Sequence, residues 1–189
     1  MLRGRHSILW LVVGLILVVG GLAACQRNVP GTATESFTAV PNQGGKLAFG
    51  LTLAPSGLDP HVDASSELGI PLTSVYDTLV YQSLDGRFVP GLAERWEVSE
   101  DGLAYTFYLR RDVAFHDGTP FNAEAVRFNL DRIASPETKS RKAKGMLGPY
   151  ERTEVIDEYT VRVRLSAPYA PLLDSLSQVY LGMASPTAV

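Results

Sequence analysis

The neighbouring residues His116 and Asp117 are the pair in this 189-residue chain whose types could do acid–base chemistry. An imidazole titrates near neutral pH and a carboxylate can orient it, which is the arrangement a hydrolase would need. Adjacent side chains rarely point at each other, however, and no serine or cysteine nucleophile accompanies them in a recognisable motif. We therefore interpret residues 116–118 as a turn held by Asp117 and predict no catalytic residue. A hydrolase that uses His116 and Asp117 is the alternative.

The residue types present also give little support for a metal site or a cofactor site. A zinc site takes three or four protein ligands, and the chain has three histidines and one cysteine, of which His6 lies in the N-terminal segment. The scattered glycines match neither a phosphate-binding loop nor a dinucleotide fingerprint. We predict no metal and no cofactor.

The charge distribution bears on possible partners. Arg3 and Arg5 are the only charged residues among the first 25, and the remaining 15 basic and 20 acidic side chains give the rest a net charge of −5. This balance argues against nucleic-acid binding, which usually needs a basic face. The one basic run comprises Lys139, Arg141, Lys142 and Lys144. We interpret it as a solvated face, with contact to anionic lipid headgroups as the alternative.

The N-terminal segment has the pattern of an export signal. Residues 1–7 carry the two arginines, and residues 8–24 run for 17 positions without a charge. As a helix this run would span about 25 Å, the short limit for crossing a hydrocarbon core. Its length alone therefore fits a cleaved signal peptide and a retained membrane anchor equally.

The only cysteine decides between the two. Residues 22–25, Leu-Ala-Ala-Cys, resemble the lipobox of bacterial lipoproteins, in which small residues admit the peptidase and the cysteine accepts the lipid. We predict a lipoprotein signal peptide over residues 1–24 and lipidation at Cys25. Residues 25–45, rich in Pro, Gly, Thr and Asn, are predicted to form a lipid-anchored flexible linker. A chain of that length and composition reaches about 25 Å from its anchor.

The body of the chain combines strand and helix patterns, which predicts a mixed α+β fold. Residues 46–53 (KLAFGLTL) alternate as a strand does, and residues 66–80 carry apolar positions at helical spacing. Residues 95–110 predict a β-hairpin that turns at Asp101 and Gly102, because this pair tolerates positive φ.

Further elements follow in the second half. Asn122 is placed to cap a helix that ends before Pro136. A strand pair is predicted around residues 157–158, and Pro168 and Pro171 are predicted to open a last short helix. The apolar positions of the hairpin and the helix are predicted to form the core; they are Trp96, Tyr105, Phe107, Ala123, Val126, Leu130 and Ile133.

Three stretches, in order along the chain, resemble the family 5 extracellular solute-binding proteins, the oligopeptide, dipeptide and nickel receptors of ABC importers. They are VYDTLVY at 75–81, PGLAERW at 90–96 and SEDGLAYTFYLRRDVAFHDGTPFNAEAV at 99–126. The resemblance extends over residues 46–189. Ala125 departs from it, because the family commonly has an aspartate there, and we expect this to affect helix capping more than binding.

The resemblance implies a fold larger than this chain. Family members are much longer, with a two-lobed, type II periplasmic-binding-protein-like fold and a subdomain inserted in the first lobe. It implies that residues 46–60 begin lobe one, residues 61–168 are the inserted subdomain, and residues 169–189 return to lobe one. The chain is then expected to be mainly the inserted subdomain, within an N-terminal fragment.

The resemblance also implies a function. It predicts a lipid-anchored, extracytoplasmic substrate-binding component of an ABC importer, not an enzyme, whose partners are a permease, an ATPase and the membrane. A peptide is the favoured solute, and nickel chelates, sugars and other small solutes also occur in the family. The ligand-facing candidates are the backbone groups of Leu53, Ala54, Pro55, Ser56, Gly57 and Leu58. A surface lipoprotein with a structural role and no transport function is a further alternative.

Overall fold

The computed structural model describes residues 44–46, 48–54, 57–62 and 64–189, of which residues 49–189 belong to one unit. The helices of that unit are Gly69–Leu72 (α1), Ala123–Ala134 (α2), Lys142–Leu147 (α3) and Leu172–Leu176 (α4). Its strands are Val80–Gln82 (β1), Phe88–Pro90 (β2), Ala93–Val98 (β3), Ala104–Leu109 (β4), Tyr150–Asp157 (β5) and Thr160–Leu165 (β6). Short 3₁₀ helices lie at Ser66–Leu68, Pro136–Thr138 and Val179–Leu181.

A four-stranded antiparallel sheet in the order β3-β4-β6-β5 carries the core, and β1 and β2 form a separate antiparallel pair. The predicted hairpin is confirmed: β3 and β4 pair with Trp96 opposite Phe107. Its turn is stabilised by the Asp101 carboxylate, which accepts hydrogen bonds from the Ser99 hydroxyl at 2.6 Å and the Leu103 amide at 3.0 Å. Gly102 takes the positive φ of 68° that the turn requires.

Helix α2 covers one face of the sheet and packs on β5 and β6. The predicted cap is confirmed, because the Asn122 side chain accepts a hydrogen bond from the Ala125 amide at 3.0 Å. The predicted stripe of Ala123, Val126, Leu130 and Ile133 is buried. Ala125 is buried as well, so an aspartate at this position would lose its hydration here.

The outer face of the sheet is polar, as expected for an antiparallel sheet that buries only one side. Arg162 and Arg164 of β6 share the carboxylate of Glu154 on β5, at 3.9 and 3.3 Å. The strand pair predicted around residues 157–158 is confirmed as β5 and β6. The last helix is confirmed as α4, which Pro171 precedes.

The strand predicted over residues 46–53 is wrong for the described residues of that range, which have no regular secondary structure. A strand needs a hydrogen-bonding neighbour and a layer against which to bury its apolar face. Phe49 and Leu53, which the alternation assigns to one apolar face, are 64% and 65% exposed. No described strand pairs with this range.

The helix predicted over residues 66–80 is largely wrong too. Only the 3₁₀ helix Ser66–Leu68 and α1 form, and the chain then turns. Leu72 is buried as the helical pattern predicts, but Val75 is 53% exposed. The end of the range becomes strand instead, because Val80 pairs with Pro90 across the β1–β2 ladder. Tertiary pairing overrides the local pattern here.

Among the helices of the described residues, none has the length and apolar composition needed to cross a membrane. The predicted signal peptide, Cys25 and the linker up to residue 43 lie outside the described residues.

Candidate functional site

The described residues of the turn predicted to face a ligand lie at or near the surface. Leu53, Ala54 and Leu58 are exposed and Gly57 is half-buried, whereas Pro55 and Ser56 lie outside the described residues. The Leu58 carbonyl accepts a hydrogen bond from the Tyr76 hydroxyl at 3.2 Å. This contact ties the end of the turn to the segment that leads into β1.

The residue after the turn, Asp59, is bound by an arginine from helix α2. The two terminal nitrogens of Arg132 donate to the two carboxylate oxygens of Asp59, at 2.6 and 3.1 Å. Such a bidentate pair is both strong and geometrically specific. Burial alone would raise the pKa of Asp59, but the hydrogen bonds from Arg132 and from the His61 amide lower it. Asp59 therefore stays ionised well into the acid range.

His61 completes this arrangement and is fully buried. Its Nε2 lies 2.9 Å from the Gly182 carbonyl, and its Nδ1 lies 2.8 Å from Nη1 of Arg132. Because a carbonyl can only accept, Nε2 carries the proton and Nδ1 accepts from the guanidinium, which is the neutral form. Burial, helped by the charge of Arg132, lowers the pKa of His61 to about 4.

Residues 182–185, which include the Gly182 carbonyl that His61 contacts, are fixed to helix α2 by Asn129. The Asn129 amide donates to the carbonyls of Ala125 at 2.8 Å and Ala184 at 2.9 Å, and its oxygen accepts from the Ala184 amide at 2.8 Å. The side chain thus pairs with the backbone of residue 184 as a neighbouring strand would. The end of the turn, helix α2 and residues 182–185 are in this way joined by buried and half-buried polar contacts.

A cavity of about 210 Å³ opens beside these contacts. Its walls are mostly apolar, and Phe115 and Phe121 meet in it edge to face with ring centroids 6.0 Å apart. Tyr76 and Met183 line it, and Asp77 and Ser185 are among its polar groups. It is larger than the roughly 150 Å³ apolar cavities that admit benzene. A single apolar side chain or a small apolar group would fit.

The turn at residues 116–118 is confirmed, and Asp117 holds it. One Asp117 oxygen accepts from the Thr119 amide at 2.9 Å, and the other accepts from the hydroxyls of Ser185 at 2.5 Å and Thr187 at 2.6 Å. These hydrogen bonds hold the pKa of Asp117 well below its usual range. His116 is exposed at the cavity rim. With its carboxylate committed to the Ser185 and Thr187 hydroxyls, this pair does not form the His–Asp relay of a hydrolase.

Within the described residues, no group of three or more histidine, cysteine, aspartate or glutamate side chains is placed to hold a metal ion. The basic run is largely solvated: Lys139, Arg141 and Lys144 are exposed. Lys142 is the exception, because its ammonium lies 3.5 Å from the ring centroid of Tyr180.

Sequence reasoning missed the Asp59–His61–Arg132 cluster. It considered His61 only as one of too few metal ligands, and no spacing rule links residue 61 to residue 132. A usable signal was the position of Asp59 and His61 immediately after a Pro/Gly-rich turn, where polar side chains often fix a loop end.

Comparison with known proteins gives one family match. Residues 87–188 match the family model described as bacterial extracellular solute-binding proteins, family 5 Middle. The glutathione-binding protein GsiB of Pectobacterium atrosepticum is 33% identical over 174 residues, which cover 92% of this chain and 32% of that protein. GsiB of Salmonella typhimurium is 37% identical over 133 residues, or 70% of this chain and 26% of that protein. The chain thus spans about a third or less of the length of these relatives.

Solved structures agree. NikA from Brucella suis, in complex with Fe(III)-EDTA, superposes with a TM-score of 0.65 at 35% identity, covering 74% of this chain and 28% of that one. The periplasmic binding protein DppA from Helicobacter pylori, in complex with the peptide STSA, gives 0.61 at 29% identity over 70% of this chain and 29% of that one. The predicted mixed α+β, type II binding-protein fold is confirmed. These proteins bind solutes, in agreement with the prediction that the chain is not an enzyme.

Proposed function

The chain belongs to family 5 of the bacterial extracellular solute-binding proteins, and from this premise we propose that it is the lipid-anchored, substrate-binding component of an ABC importer. It captures a peptide outside the cytoplasmic membrane and delivers it to a permease driven by an ATPase. The observation that carries the proposal is the family match over residues 87–188, more than half of the chain.

The solute class rests on chemistry and on the relatives. DppA from Helicobacter pylori holds a peptide, and glutathione, named for the GsiB relatives, is itself a tripeptide. An extended peptide needs main-chain partners, and among the described residues of the predicted turn Leu53, Ala54 and Leu58 are exposed and could offer them. The neighbouring apolar cavity of about 210 Å³ can take one apolar side chain of the peptide. Backbone recognition with one such subsite would tolerate varied sequences.

The lobe assignment is part of the proposal. Residues 46–60 begin lobe one, residues 61–168 form the inserted subdomain, and residues 169–189 return to lobe one. The hydrogen bond from His61 to the Gly182 carbonyl supports the return, because it brings the third segment beside the point where the first segment ends and the second begins. The four-stranded sheet and helix α2 both lie within the second segment.

Photo-cross-linking on whole cells tests the solute and its site. Cells displaying the protein are illuminated with a tripeptide that carries a benzophenone side chain, and labelled residues are located by mass spectrometry. We expect label on residues 53–58 or on Tyr76, removed by excess unlabelled peptide. Leu84, fully exposed at the tip of the β1–β2 hairpin, is the internal control and should stay unlabelled. Label spread equally over both regions, or insensitive to competing peptide, would contradict the proposed site.

Replacing Cys25 with serine tests the anchor. A serine hydroxyl cannot form the thioether that lipid attachment requires, so the variant should remain unprocessed and incorporate no labelled palmitate. The wild type should enter the detergent phase on partition after incorporating the label. Ala24→Gly is the matched control, because it keeps a small residue before the cysteine and should be processed normally. Equal label in the serine variant and the wild type would refute lipidation at Cys25.

A further inference from the structure

We propose that Asp59, His61 and Arg132 form a clamp that holds the end of the ligand-facing turn, Gly57 and Leu58, and that the clamp opens when His61 becomes protonated. The consequence for ligand capture rests on the proposed function, whereas the clamp itself can be tested without any ligand.

The geometry makes the clamp the main fixed point of this loop. Arg132 extends from helix α2 and binds Asp59 and His61 at once, and His61 reaches the Gly182 carbonyl on the other side. The His61 amide also donates to Asp59 at 3.0 Å. These bonds begin directly after Leu58, whose carbonyl is held by Tyr76. Without the clamp, the hydrogen bond of 3.2 Å from Tyr76 is the one hydrogen bond that the described residues of the turn would keep.

Protonation of His61 acts on this arrangement directly. The added proton sits on Nδ1, which then faces the N–H of Arg132 donor to donor, 2.8 Å away. Two cations would share one buried site, and a buried like-charge pair is costly. The bond from Nε2 to Gly182 survives, so the change is confined to the side that holds Asp59.

The charged and titratable groups around His61 set the pH range over which it becomes protonated. Asp59 on its own loop favours the protonated ring, Arg132 on helix α2 disfavours it, and the Tyr76 hydroxyl is neutral at acid pH. Residues 182–185 contribute no titratable side chain. Burial dominates and lowers the pKa of His61 to about 4, so the clamp is closed at neutral pH and opens in moderately acidic surroundings.

Glutamine at position 61 separates the structural role from the acid response. Its amide nitrogen can donate to Gly182 and its oxygen can accept from Arg132, so His61→Gln keeps both bonds in a group that does not titrate. His61→Phe keeps a planar aromatic ring, somewhat larger than imidazole, and removes both bonds. One variant should therefore keep the clamp closed at every pH, and the other should keep it open, with the wild type changing between the two.

The test is hydrogen exchange of the full chain, followed by mass spectrometry at several pH values between 3.5 and 7 and corrected for the intrinsic exchange rate. For peptides covering residues 57–62 we expect wild-type protection to fall at least tenfold as the pH drops from 6 to about 4. His61→Gln should stay protected over that range, and His61→Phe should lack protection throughout. Peptides from β4 and β6 are the internal control for global unfolding.

Two outcomes would overturn the inference. One is an identical pH profile in the wild type and His61→Gln, because the histidine would then not be the sensor. The other is full protection of residues 57–62 in His61→Phe at pH 7, because the two hydrogen bonds of His61 would then not be needed to order this segment. Neither depends on ligand, so a failure of the cross-linking experiment and a failure of the clamp are distinguishable.

Discussion

Replacing Asn129 with leucine should lower the free energy of unfolding of the chain by about 3 kcal/mol or more. Leucine is similar in size, but it cannot hydrogen-bond. The amide and carbonyl of Ala184, which Asn129 pairs at 2.8 and 2.9 Å, would be left without partners in a region where Ala184 is 2% exposed. Each buried backbone group without a partner costs about 1–3 kcal/mol. Urea unfolding followed by circular dichroism measures the effect.

The matched control lies on the opposite side of the same helix. Arg127→Leu removes only an exposed pair with Glu124, one turn away, and should change the free energy of unfolding by less than about 0.5 kcal/mol. If both leucine variants were equally stable, the pairing between Asn129 and residue 184 would carry no energy. The result also bears on function, because residues 183–185 form part of the cavity wall and receive His61 through Gly182.

The part of the fold that the sequence predicts correctly is the part whose signals are local. The Asp101-Gly102 turn, the Asn122 cap and the alternation around residues 157–158 each need only a few neighbouring residues to be interpreted. Their elements also find their partners nearby in the chain, as β3 does in β4. Local preference and tertiary packing then agree, and the prediction holds.

Apolar periodicity on its own predicts two other elements wrongly. Residues 46–53 alternate as a strand should, but no described segment pairs with them. Val80 belongs by spacing to the predicted helix, yet its backbone pairs with Pro90. In both cases the pattern of apolar residues predicts which positions are buried, but it does not predict which other segment covers them.

The candidate site was predictable only in outline. The Pro/Gly-rich composition of residues 53–58 marks a turn, and the family resemblance gives it a role that stays a proposal. The groups that fix its end come from positions 61, 76, 132 and 182, which only the folded chain brings together. The burial of His61 cannot be predicted from the sequence, because histidines occur at surfaces, in cores and in metal sites.

The second large effect is expected at Gly91, which directly follows β2 and precedes β3. A side-chain carbon there would lie 2.5 Å from the Thr78 carbonyl oxygen and 2.9 Å from that of Leu79. Both carbonyls are engaged, because they accept hydrogen bonds from Leu92 and Ala93 at 2.9 Å. The atoms that clash are all backbone atoms of residues 78 and 79, so no rotamer change can relieve the clash. Gly91→Ala should therefore cost about 3 kcal/mol of unfolding free energy.

Gly145→Ala is the control with the opposite expected sign. Gly145 lies inside helix α3, where an added carbon meets nothing within 4 Å, and alanine there should stabilise the chain by about 0.5–1 kcal/mol. In urea unfolding, the free energy of unfolding should thus be lower than the wild-type value for the Gly91 variant and higher than it for the Gly145 variant. A Gly91 variant as stable as the wild type would mean that the segments at residues 78–79 and 92–93 can separate at little cost. The pairing that brings Asp77 and Leu92 to the cavity would then be loose rather than fixed.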